Sequence, residues 1–194
     1  MIMVAWTQAK MRALAAKERA NCGVDDFQPL DPRVLAAEYG LPVYALTDFE
    51  QAAPTAVAHL STQAGSKWSA ALIPIGSARV VIENDTHAEV RRRSTIAHEL
   101  AHHLLEHPFS EIMITDDGCH YVDRELEKQA TYLSGQLLIP ERAAKRAAFD
   151  GWSNLTVAET FEVSEQFAQM QMYGMRVLAD RALARQRRVA SRAG

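Results

Sequence analysis

The sequence predicts an α+β fold, mainly helical, with a small antiparallel three-stranded sheet. Three observations lead there. Two long stretches, Val90–Glu106 and Asp123–Leu138, repeat apolar residues at three- and four-residue steps, as a half-buried helix does. The run "WSAALIPIGSARVVIEN" is rich in β-branched residues around a turn, as a hairpin is. The few short strands stand among several helices, which gives a small antiparallel sheet packed among them.

Taken in order, a first helix is expected from about Val4 to Ala20, ended by Cys22-Gly23. A short second helix follows, with Asp31 as cap, Pro32 at its first position and Gly40 as its stop. "LPVYAL" reads as a short strand. Thr47–Gly65 is Ala-rich but broken by Pro54, and reads as helix or loop. The two hairpin strands turn at Pro74–Ser77, and the basic run Arg91–Arg93 opens the next helix. Pro108 closes that helix, and "FSEIMITDDGCHYV" reads as a loop. After the Asp123–Leu138 helix, Pro140 starts "ERAAKRAAF", which Asp150-Gly151 ends. Two more helices are expected, near Leu155–Phe161 and after Ser164. The expected domains are an N-terminal helical extension (1–28), a main domain (29–180) and a basic tail that frays (181–194).

Composition excludes several classes. Of the 194 residues 48% are apolar, enough for a packed core rather than a disordered chain. A net charge of −3 gives no overall pull toward nucleic acid or an anionic membrane. No apolar run approaches the roughly 20 residues of a membrane helix. The N-terminus lacks the pattern of a signal peptide. Cys22 and Cys119 are far apart and in no CxxC pattern, so neither a disulfide framework nor a thiolate zinc cluster is expected. A cytoplasmic location fits all of this.

Four of the seven histidines crowd into "STIAHELAHHLLEH". In a helix, His98 and His102 stand one turn apart on one face, where both imidazoles can reach one metal ion. Glu99 is rotated by about 100° from His98, close enough to act as general base without being a ligand. Ala97, Leu100, Ala101 and Leu104 form the apolar face, leaving these three on the polar side. His103 and His107 are also a turn apart but lack a following Glu. His103 reads as a rim residue and His107 as a surface residue near the helix end.

A catalytic metal site needs a third protein ligand. The metzincin pattern would need Gly and His where this chain has Leu105 and Pro108, so that class is excluded. The candidates are Asp116, Asp117, His120, Asp123, Glu125 and Glu127. Glu127 lies at the edge of the inner face of its helix, whereas Glu125 lies about 200° around. Helical phase therefore favours Glu127, with a rim salt bridge as its other reading.

Several pieces together resemble the ImmA/IrrE family of metallopeptidases, from about Pro29 to Leu178. They are "PLDPRVLAAEYGLPV", "ARVVIEN", "RRRSTIAHELAHHLL", "ELEKQATYLSGQLLIP" and "VAETFEVSEQFAQMQM". The resemblance implies a zincin-like domain that binds Zn²⁺, or Mn²⁺ or another divalent ion, through His98, His102 and a glutamate on the next helix. In the family that glutamate lies thirteen residues before the proline of LL-x-P, which lands on Glu127. Gln129 departs from the acidic residue often found there, Ala101 from a common Gly, and Ser94 from a usual aromatic. The implied activity is a cytoplasmic regulatory endopeptidase in which a water on the metal attacks the peptide carbonyl with Glu99 as general base. The implied substrate is a protein partner, a helix-turn-helix repressor encoded separately, with neither nucleic acid nor membrane as direct partner. No helix-turn-helix region is expected ahead of the peptidase, since about 30 residues precede the resemblance.

Tyr121, Tyr132, His103 and Arg93 are unranked candidates for stabilising the oxyanion. "ARVVIEN" is a candidate edge for an extended substrate. Two rivals stand beside the peptidase. "VAETFEVSEQFAQMQMYGMRV" has the spacing of a helix-turn-helix, but its second helix has no basic residue before Arg176. A member without proteolysis would keep the same metal residues for binding a repressor.

Overall fold

The computed structural model describes residues 5–62, 68–76, 78–108, 112–115, 118–121 and 123–193. Helix α1 (Gln8–Asn21) begins after Thr7, whose hydroxyl accepts from the Lys10 N–H. Helix α2 (Pro32–Glu38) starts as predicted, with the Asp31 carboxylate accepting from the Arg33 N–H and Pro32 at the first position. Strand β1 (Val43–Ala45) leads into a 3₁₀ turn (Leu46–Phe49) and helix α3 (Pro54–Ser61). Pro54 begins α3 rather than interrupting it, which resolves the ambiguous stretch.

Strands β2 (Ala70–Ile75) and β3 (Ala78–Glu83) form the expected hairpin, and β1 joins β3 on its other side. The three-stranded sheet is mixed, not antiparallel. β2 pairs antiparallel with β3, while β1 runs parallel to it with Val43 opposite Val81. The polypeptide between β1 and β2 passes through α3, long enough to bring β1 alongside β3 in the same direction. β3, the segment "ARVVIE", is therefore the central strand and has no free edge, which removes it as an edge for substrate.

Helix α4 (Glu89–Leu104) packs on this sheet, on α2 and along α5 (Arg124–Leu138). Between α4 and α5 lies a second departure from expectation. The stretch read as a loop contains an antiparallel hairpin, β4 (Ile112–Thr115) and β5 (Gly118–Tyr121), with β5 against β2 and α5. Helices α6 (Glu141–Phe149), α7 (Asn154–Phe161) and α8 (Glu165–Ala193) complete the chain. Ser153 caps α7 and Ser164 caps α8 through their hydroxyls. Helical backbone continues through 181–193, where composition led us to expect fraying.

The core joins these layers. Leu35, Leu72, Val81, Ile96, Leu100, Leu133 and Leu137 are buried in one cluster, and α1 adds Met11 and Ala15 to it. A second cluster, including Ala97, Leu138, Phe161, Ala168 and Met172, seats α6–α8 behind α4. Arg19 ties α1 to the end of α5. Its buried guanidinium donates to the carbonyls of Leu137, Asp25 and Gln28, and so satisfies a carbonyl left open by the last turn of α5. No described helix is long and apolar enough to cross a membrane.

Candidate metal centre

α4 carries His98, Glu99 and His102, and α5 carries Glu127 in its first turn, which Asp123 caps through the Glu125 N–H. The two helices pack side by side on apolar residues of their other faces, so Glu127 looks across at the histidines. The Nε2 atoms of His98 and His102 stand 3.1 Å apart. Glu127 Oε2 is 3.2 Å from His98 Nε2, and Glu127 Oε1 is 3.6 Å from His102 Nε2. One donor atom from each residue falls within 4.8 Å of the others.

These separations test whether an ion fits. Donors around a tetrahedral zinc, at roughly 2.0–2.1 Å from it, stand about 3.3 Å apart. The three observed distances bracket that value. Two imidazoles and one carboxylate leave a fourth position open, and His98 and Glu127 are each about a quarter exposed, at 27% and 25%. The group thus opens on one side to solvent.

One oxygen of Glu99 is engaged by the sheet. Its Oε2 accepts from the backbone N–H of Leu72 at 3.1 Å. Leu72 lies in β2, an edge strand of the three-stranded sheet. Burial raises the Glu99 pKa to about 7, assisted by the charge of Glu127 and opposed by His98 and the Leu72 N–H. A carboxyl poised near neutrality can both take and give a proton. Burial and the neighbouring His98 push the His102 pKa far down, which keeps that ring neutral. For His98, burial works against a charge, but the hydrogen bond to Glu127 and the nearby carboxylates leave its pKa raised.

His107 departs from its expected place. It is 2% exposed, and its Nδ1 lies 2.8 Å from Nδ1 of His102. The helix ends at Leu104, so His107 belongs to the chain reversal after it and not to a fifth helical turn. His103 does sit at the rim, beside Arg79 and edge-on to Tyr39. Of the oxyanion candidates, Tyr132 receives a hydrogen bond from Arg12, and buried Arg93 donates to the carbonyls of Leu30 and Glu162. Arg93 is thus a brace between α4, the α2 entry and the α7–α8 turn. The side chains of Tyr121, Asp116, Asp117 and His120 lie outside the described residues. Glu125 is exposed and pairs with Lys128, away from the histidines. Sequence reasoning also missed the Leu72 N–H, because a backbone donor leaves no mark in residue identity.

The family model for the IrrE N-terminal-like domain, peptidase family M78, matches residues 48–173. The chain belongs to the ImmA/IrrE metallopeptidase family. The match holds the sheet hairpin, α4, α5 and the first part of α8, but begins after α2 and β1, later than the Pro29 start of the resemblance. Comparison with curated proteins gives no significant match, nor does comparison with solved structures. The family and the His98, His102 and Glu127 group together suggest a bound metal ion.

Proposed function

We propose that this chain is a zinc-dependent endopeptidase that cleaves, and so inactivates, a separately encoded helix-turn-helix repressor. The observation that carries the reading is the convergence of His98, His102 and Glu127 at tetrahedral spacing beside a buried Glu99. His98, His102 and Glu127 would hold the ion, and their mixed nitrogen and oxygen donors suit Zn²⁺, with Mn²⁺ or another divalent ion as the substitute. Bound there, such an ion lowers the pKa of a water and draws charge from a peptide carbonyl.

Glu99 then does the proton work. Its carboxylate takes a proton from the attacking water and passes it to the departing amine. The Leu72 N–H holds one of its carboxylate oxygens. The family supports a protein substrate, and a helix-turn-helix repressor is the partner that the sequence resemblance implies.

The α7–α8 unit supports a scaffold reading rather than DNA binding. Ala168 and Met172 of α8 are buried against α6 and α7. Arg176, the first cation of α8, turns back to the Trp152 carbonyl and Asn154.

Glu99→Gln tests the mechanism. The variant should bind zinc as the parent does and leave the co-encoded repressor intact, while the parent cleaves it. Cleavage by a metal-loaded Glu99→Gln chain removes Glu99 as the base. If parent and variant both bind the repressor and neither cleaves it, the chain is a metal-dependent binding protein instead.

A further inference from the structure

The segment after α4 is built to return one side chain to the helix it has just left. Leu105 ends the helix and Glu106 adopts a left-handed backbone, with φ of 55°. The His107 N–H donates to the His102 carbonyl, and the Glu106 N–H to the His103 carbonyl, each at 3.1 Å. This is the paired hydrogen-bond pattern of a Schellman cap. Such caps bring the residue after the left-handed one against the residue whose carbonyl it bonds, commonly as an apolar contact. Here two imidazoles occupy that contact, their centroids 4.9 Å apart and each ring 2% exposed.

The proton positions follow from which atoms meet. Nδ1 of His102 faces Nδ1 of His107 at 2.8 Å, so one must donate and the other accept. Nε2 of His102 faces His98 and Glu127 and needs its lone pair if an ion is to be held there. A neutral His102 then carries its proton on Nδ1 and donates to His107. His107 in turn carries its proton on Nε2, which faces Gln129 Oε1 at 3.4 Å, an oxygen that only accepts. Every link has one donor and one acceptor. The reverse assignment aims an N–H into the ion group and sets two lone pairs face to face at Gln129.

We propose that His107 is a positioning residue for the metal centre, holding His102 in the tautomer that offers Nε2 to the ion, with Gln129 as the end of the relay. This rests on reading His98, His102 and Glu127 as the metal group. A histidine ligand ordinarily donates its second N–H to a carboxylate, a carbonyl or a water. In this chain a buried neutral imidazole takes that place, so the orientation of His102 is fixed without adding a charge behind it.

The test is zinc titration of the metal-free chain against a competing chelator, using the parent, His107→Leu and His107→Gln. Loss of such a partner costs about 10–100-fold in metal affinity. His107→Leu should fall by that factor, and His107→Gln, whose amide oxygen can accept from Nδ1–H, should recover most of it. Nitrogen NMR of the zinc-loaded parent should show the His102 proton on Nδ1. A parent that binds no zinc overturns the metal reading and this inference together. A parent that binds, with a folded His107→Leu within twofold of it, overturns this inference alone. A His107→Gln as weak as His107→Leu does the same. If His107→Leu does not fold, the NMR spectrum decides, and a His102 proton on Nε2 refutes the relay.

Discussion

Replacing Glu99 by Gln should make the metal-free chain more stable at alkaline pH but hardly at acid pH. The Glu99 carboxyl is 6% exposed and its pKa is raised from 4.5 to about 7. A raised carboxyl pKa favours the native state below pH 4.5, and that advantage is lost as pH rises through the native value. The sign follows from proton counts. Between the two pKa values the native chain holds a proton that the unfolded chain has released. At 1.36 kcal/mol per unit, the loss is about 1 kcal/mol at pH 5 and about 3 kcal/mol at pH 8. Gln keeps an oxygen for the Leu72 N–H and has nothing to ionise. The stability gap between variant and parent should therefore widen by about 2 kcal/mol from pH 5 to pH 8. With a urea slope of about 2–3 kcal/mol/M, the midpoint gap grows by about 1 M. The assay is urea unfolding of both chains in a chelator at the two pH values. Titrations remote from Glu99 are shared and cancel in the difference, which leaves Glu99 together with its neighbours His98 and Glu127. A gap that is the same at pH 5 and pH 8 refutes the claim that burial holds Glu99 protonated in the native chain.

Three further perturbations probe the supports of the centre. Glu127→Ala removes one of three donor residues and should sharply weaken zinc binding in equilibrium dialysis, while the circular dichroism spectrum stays that of the parent. Glu106→Gly relieves a non-glycine residue of its left-handed backbone at an exposed cap and should raise stability by about 1 kcal/mol in urea unfolding. Arg19→Met strips the guanidinium from three carbonyls, of which Leu137's is buried. It should cost about 3 kcal/mol of unfolding free energy and loosen the α1–α5 contact, seen as faster amide exchange in α1.

The helices were legible in the sequence because their signals are local. Asp31 with Pro32, Pro140 and Ser164 each mark a terminus within a residue or two of where it falls. The sheet was legible only in part. Val80 and Val81 announce a buried strand, but whether β1 runs with or against β3 depends on how α3 carries the chain between them, and no pattern within a strand encodes that. The β4–β5 hairpin was hidden for a related reason. "TDDG" reads equally well as an irregular loop or a turn, and only pairing over the neighbouring residues separates the two.

The candidate metal group was legible because its members obey helical phase on two helices whose apolar faces dictate how they pack. His98 and His102 are fixed by the α4 stripe of Ile96, Ala97, Leu100 and Ala101, and Glu127 by the α5 stripe of Ala130, Leu133 and Leu137. Phase then misled at His107. Counting it as one more helical turn sent it to the surface, beside His103. The helix instead stops at Leu104, and a left-handed Glu106 turns the next residue inward against His102. Glu106 carries no glycine or asparagine signal for that conformation, so the reversal is dictated from outside the local sequence. The seating of Leu105, 3% exposed in the core, and the hydrogen bond from Trp6 Nε1 to its carbonyl at 3.2 Å anchor the end of α4 from α1's side of the molecule. The orientation of His102 is thus tied to a contact made by the first described residues of the chain, which a reading confined to HExxH has no means to reach.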